Sequence, residues 1–97
     1  MVVNVLDVVP ACNTAAQGAA VADELRPILA AGKKVKLSFA GVSDVPSSFV
    51  NASIVALFSE FPAEKITRQL AISNVTGQIS DMIRRCLANS RRKSEAA

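Results

Sequence analysis

The residues best placed to do chemistry lie in 42–49, VSDVPSSF. There an acid, Asp44, precedes the serine pair Ser47-Ser48 and an aromatic, Phe49. Adjacent hydroxyls at the start of a helix have two uses. One is as an N-cap, where the side-chain oxygen accepts a free first-turn N–H and contributes about 1 kcal/mol. The other is to carry a phosphate, which adds about −1.5 to −2 charges beside the free amides and positive end of a helix dipole. Both need a helix to follow. Phe49, Val50, Ile54, Leu57, Phe58 and Phe61 do follow at helical spacing.

The rest of the chain offers little reactive equipment. Histidine is absent, which removes Ser-His-Asp and Cys-His catalysis and the common zinc sets. Cys12 and Cys86 form no CxxC pair and read as reduced thiols acting as small hydrophobes. Asp7, Asp23, Glu24 and Asp44 are too scattered to form an acid/base pair, and Gly18, Gly32, Gly41 and Gly77 are too isolated to form a phosphate loop. The expectation is a non-enzymatic protein with no metal and no cofactor.

Net charge is +3, from 11 basic and 8 acidic residues. Arg84, Arg85, Arg91, Arg92 and Lys93 cluster near the C-terminus. Cations collect at a helix C-terminus because the dipole favours them. The same residues could contact an acidic partner or nucleic-acid phosphates, which makes a small nucleic-acid-binding protein the second function class. No aromatic residue interleaves with them to stack bases.

Positioning these groups falls to one domain, since the chain has 97 residues. Apolar residues make up 51% of it, without a run of the roughly 18 needed to span a bilayer and without a basic start typical of a signal peptide. A cytoplasmic location with no membrane contact is expected. Val2–Val9 reads as a strand ended by Pro10. Thr14 and Gln17 form a capping-box pattern that opens a helix with Ala16, Ala19, Ala20, Leu25, Ile28 and Leu29 on its apolar face. Pro27 should kink or break it near Asp23–Arg26, and Gly32 suits the position just past its end.

Val35–Phe39 alternates strictly, with Val35, Leu37 and Phe39 on one face and Lys34, Lys36 and Ser38 on the other. That pattern predicts a sheet with one packed and one wetter face. Pro62 should stop the second helix, and 63–68 reads as a polar connection. Gln69–Ser73 is a third strand. Asn74 or Thr76 then caps a helix whose stripe is Val75, Ile79, Met82, Ile83, Cys86 and Leu87, with Gln78, Asp81, Arg84 and Arg85 outside. Helicity is expected to fade after Ala88, so residues 1–89 form the domain and 90–97 a disordered polar tail.

The order β-α-β-α-β-α implies a small two-layer α/β sandwich with a mainly parallel sheet and its helices on one face. Two unpaired sheet edges would remain, a route to a homodimer.

Phe39, Gly41, Val42, Ser47, Ser48 and Phe49, in a strand ending x-F-x-G-V followed by S-S-F at a helix start, resemble the STAS-like domains grouped as DUF4325. These are small bacterial proteins related to the STAS domains of anti-sigma-factor antagonists. The resemblance implies a regulatory protein-interaction module in signalling, whose partner would be a histidine-kinase-like ATPase. It implies Ser47, with Ser48, Phe49 and Asp44 around it, as the partner surface, and Ser47 as the phosphoacceptor of a phosphoswitch. This chain has Ser38-Phe39 where the family usually has Asp-Phe, and Pro46-Ser47-Ser48-Phe49 where the antagonists have Asp-Ser-Ser-Gly.

Overall fold

A computed structural model describes residues 1–96, with side chains described through Ser90. The elements are β1 (Val2–Asn4), α1 (Val5–Val8), α2 (Ala15–Ala30), β2 (Val35–Ser38), α3 (Ser47–Val50), a π-helical turn (Asn51–Val55), α4 (Ala56–Glu60), α5 (Ala63–Gln69), β3 (Leu70–Ser73) and α6 (Gly77–Ala96). The three strands lie side by side in the order β1-β2-β3, all parallel. Adding each strand beside the last with right-handed crossovers puts the connecting helices on one face, which gives the two-layer α/β sandwich.

Register sorts the two faces. Val3, Leu37 and Ile72 are partners across the sheet, as are Val35 and Leu70, and this side meets the helices. Val2, Lys36 and Ala71 are partners on the other side, and all three are exposed. The exposed Lys36 between buried Val35 and Leu37 marks the open side of the sheet, but Ser38, expected on that wetter face, is buried, and its Oγ accepts the Asn74 side-chain amide.

The helices form where capping and packing agree. At the start of α2 the Gln17 N–H donates to Thr14 Oγ1 at 3.1 Å and Gln17 Oε1 accepts the Thr14 N–H at 3.2 Å, a complete capping box. At its end Gly32 has φ +76°, the Gly32 N–H donates to the Leu29 carbonyl, and the Lys33 N–H reaches the Ile28 carbonyl at 3.2 Å. That is a Schellman closure with glycine in the left-handed position.

Six expectations need correction. The first strand ends at Asn4, and the chain then coils into α1, which sends both Val5 and Val9 inward from consecutive turns. Pro27 sits inside an unbroken α2, on its exposed side near the C-terminus. The N–H it lacks would have served the carbonyl of Asp23, itself an exposed residue. The buried side of α2 is Gly18, Val21, Ala22, Leu25 and Leu29, with Ala16 and Ala19 outside. The connection after Pro62 is the helix α5, which buries Ile66. Finally, α6 is continuous past Ala88, and Val75 lies exposed before it. Within the stretch 90–97 read as a tail, the side chains from 91 onward lie outside the described residues.

One contact decides how the helical layer closes. A Cβ added to Gly18 would stand 2.4 Å from the Phe49 carbonyl oxygen and 3.1 Å from Ala52 Cβ. Glycine thus lets α2 press directly on the backbone of the helical run 47–60. At that place the run widens into the π turn, and the fully buried Ser53 hydroxyl donates to the Phe49 carbonyl at 2.8 Å. A π turn disturbs the regular ladder of i to i−4 bonds. Here the serine supplies a donor to a carbonyl inside the core, where an unpaired one would be costly.

On the outside, Arg26 joins α2 to α4. Its Nε donates to Glu60 Oε1 at 2.6 Å and its Nη2 to Glu60 Oε2 at 2.9 Å, while Asp23 flanks the guanidinium. These bonds hold the Glu60 carboxyl below the usual carboxylate range.

Gly18→Ala is expected to destabilise the protein by about 1–3 kcal/mol, read as a lower urea midpoint at unchanged slope, because backbone stands where the methyl must go. The Arg26–Glu60 link should add stability that is complete above the ordinary glutamate pKa of 4.5 and is lost as pH falls through the lower folded value. Thermal melts of the wild type and Glu60→Gln from pH 7 to pH 3 check this. The wild-type advantage should be small, as befits a half-exposed pair, and should vanish at the acid end.

Candidate functional site

The loop between β2 and α3 starts where Phe39 enters the core and ends where Phe49 does. The two rings meet edge to face, 6.5 Å between centroids and 76° between planes, and both are fully buried. Between them Gly41 turns the chain at φ +87°, with Leu6 Cδ1 3.0 Å from where a Cβ would stand. Val45 is buried as well, so the loop is anchored at its middle.

Two side chains from the start of α6 hold the loop. Gln78 bonds Val45 twice, accepting the Val45 N–H at 2.9 Å and donating to its carbonyl at 3.0 Å, as a neighbouring strand would. The Thr76 hydroxyl donates to the Ser43 carbonyl at 2.7 Å and accepts the Ile79 N–H at 3.3 Å, so one group fastens the loop and caps the helix. Thr76, not Asn74, is the cap. Asn74 instead takes a left-handed φ of 56° and donates its amide to Ser38 Oγ at 2.8 Å. Gln78 stands on the outside of its helix, as the sequence predicts, yet its role depends on a loop 33 residues away, which no local pattern reveals.

This frame sets the position of each predicted site residue. Asp44, Ser47 and Ser48 are exposed on the rim of the loop. Phe49 is not, because it fills the core and offers a partner nothing to touch. Nor do the serines act as caps. Pro46 occupies the N-cap position with extended backbone (φ −82°, ψ 163°), so Ser47 and Ser48 are the first two helical residues. Among the described residues neither serine hydroxyl takes part in a hydrogen bond within the fold. Proline at the cap leaves the hydroxyls one and two places too late to reach back to the first-turn amides.

Arg84 and Arg85 are exposed on α6, far along the chain from the rim, and Arg84 pairs with Asp81 at 3.1 Å. The side chains of Arg91, Arg92 and Lys93 lie outside the described residues. Cys12 and Cys86 are buried in the core, and burial pushes both thiols up, which favours their protonated form. Among the described residues no group of three or more His, Cys, Asp or Glu could hold a metal, and no helix is long and apolar enough to cross a membrane.

The fold is thus that of a small, open, parallel α/β sandwich whose distinctive loop presents two serines at a helix start. A family model described as a STAS-like domain of unknown function (DUF4325) matches residues 17–80, and the chain belongs to this family. The match runs from the first turn of α2 into the start of α6. It therefore includes β2, the serine loop, the π turn, β3 and the Thr76–Gln78 clasp. No curated protein and no solved structure matches the chain.

Gln78→Ala is expected to release the loop without unfolding the core. Amide exchange at Val45 should rise sharply while amides in β2 and α2 keep their protection, with a stability loss of about 1 kcal/mol. Equal acceleration in β2 would show that the clasp supports the whole fold.

Proposed function

We propose that the chain is a non-enzymatic, regulatory interaction module that docks a signalling protein on the rim Asp44, Ser47 and Ser48. The observation carrying this reading is the pair of serine hydroxyls at the first turn of the helical run 47–60, exposed and, among the described residues, without an internal hydrogen bond, beside a loop fastened at Ser43 and Val45. A cap would have explained them, and Pro46 has that position. A rigid surface with polar groups pre-positioned for a partner avoids the entropy cost of ordering a loop on binding.

The partner class is a histidine-kinase-like ATPase, as in the related anti-sigma-factor antagonists, with Ser47 as the phosphoacceptor. A phosphate there would sit beside free first-turn amides and the positive end of the helix dipole. It would also place nearly two negative charges next to Asp44 on the same rim, enough to repel a docked acidic or apolar surface. One residue thereby serves as both contact and switch. Asp44 lies outside the run 47–60, so its charge adds to the rim without occupying the amides a phosphate needs.

The test pairs the protein with a purified histidine-kinase-like ATPase from the same genome and measures affinity calorimetrically. Ser47→Asp should weaken binding about tenfold or more at unchanged melting temperature, and Ser48→Ala should weaken it less. With ATP present, the wild type should gain the mass of one phosphoryl group and Ser47→Ala should not. Wild-type affinity in Ser47→Asp, with no mass gain, would overturn the reading.

A further inference from the structure

A second surface lies at the other end of the sheet, where the uncovered face meets the start of the strands. A shallow groove of about 340 Å³ is lined there by Val2, Lys34, Lys36, Arg68, Leu70 and Ala71 among others. Three of those residues are cations, and no acid is among the residues lining the groove. Among the described residues Lys34 and Lys36 form no ion pair, and Arg68 reaches only the exposed Glu64, at 3.9 Å. The corner is fixed from behind. Gln69 donates its side-chain amide to the Lys33 carbonyl at 2.9 Å, tying the end of α5 to the turn that carries Lys34. An adjoining groove shares Lys34, Arg68 and Gln69 and adds Lys65 together with one acid, Glu64.

We infer that this groove binds an acidic, extended segment of a partner protein, at a site separate from the serine rim. Spacing is the first reason. Lys34, just before β2, and Lys36, within it, are two residues apart and both line the groove, which puts their Cα atoms at most about 7 Å apart. That is also the repeat of alternate residues in an extended peptide, so acids at every second position meet both cations in register. The floor is the second reason. Val2, 60% exposed, and Ala71 flank Lys36 in register. Apolar ground between cations suits a peptide that has side chains of both kinds.

The other occupants fit less well. A second copy of this chain, face to face, would set lysines against lysines. Nucleic acid would use the cations, but no aromatic residue lines the groove to stack a base. An anionic membrane meets a protruding surface more readily than a concave one.

Fluorescence anisotropy with a labelled peptide of alternating Glu and Val tests the assignment. Its controls are the same peptide with Ser for Glu, single-stranded and duplex DNA, and phosphatidylserine-containing vesicles. The Glu-Val peptide should bind and the Ser-Val peptide should not. Raising salt should weaken binding. Lys36→Glu and Lys34→Glu should each reduce it about tenfold at unchanged melting temperature. Ser47→Asp should bind as the wild type does, which separates this site from the rim. No binding of the Glu-Val peptide, equal binding by Lys36→Glu, or preference for DNA or vesicles over the peptide would overturn the inference.

Discussion

The approach of α2 to the Phe49 carbonyl at Gly18 is the contact on which the rest of this structure depends. No side chain fits between the two helices at that point. Removing it allows α2 to lie against the π turn and to bury Val21, Ala22, Leu25 and Leu29 in the same layer. The widened turn and the Ser53 hydroxyl on the Phe49 carbonyl lie at that contact, and the Phe49 ring is fully buried against Phe39. Phe49 and Val50 both turn fully inward, and Ser47 and Ser48 before them stay exposed at the start of the helix.

A second constraint comes from the far end of the chain. The loop between β2 and α3 has no regular structure of its own, and its buried middle needs partners for its backbone. Gln78 and Thr76 provide them once β3 has brought α6 alongside. The candidate rim is thus assembled from segments that meet only in the finished fold. A change in α6 can loosen it without touching a serine.

The sheet divides the remaining surface. Its packed side and connecting helices make the core, and its open side carries Val2, Lys36 and Ala71 in one register row. A protein that covers one face of a parallel sheet must leave the other wet. Here Lys36 in β2 and Lys34 just before it mark that open side with charge, away from the serines. Two surfaces of different chemistry on so small a domain are consistent with a module that joins partners, which is the role proposed for it.

Patterns local in sequence determined much of this protein. Thr14 with Gln17 started α2, Gly32 ended it, and the alternation of Val35, Lys36 and Leu37 set a strand with one open side, while Ser38 went under Asn74 instead of to water. The order of elements and the serine loop were legible because capping, turn chemistry and side-chain period act over a few residues. Tertiary structure decided what depends on distance. Val5–Val8 resembles a strand in composition but coils because Val5 and Val9 both find the core. Ser47 and Ser48 have the composition of a cap, but Pro46 takes that place and frees them. Phe49 reads equally as a surface anchor or a core residue, and only the ring of Phe39 and the layer behind it settled which. The grip of Gln78 on Val45 and the meeting of Lys34, Lys36 and Arg68 in one groove join residues more than thirty positions apart. Such contacts carry no periodic signal, since they form only after the chain has folded back on itself.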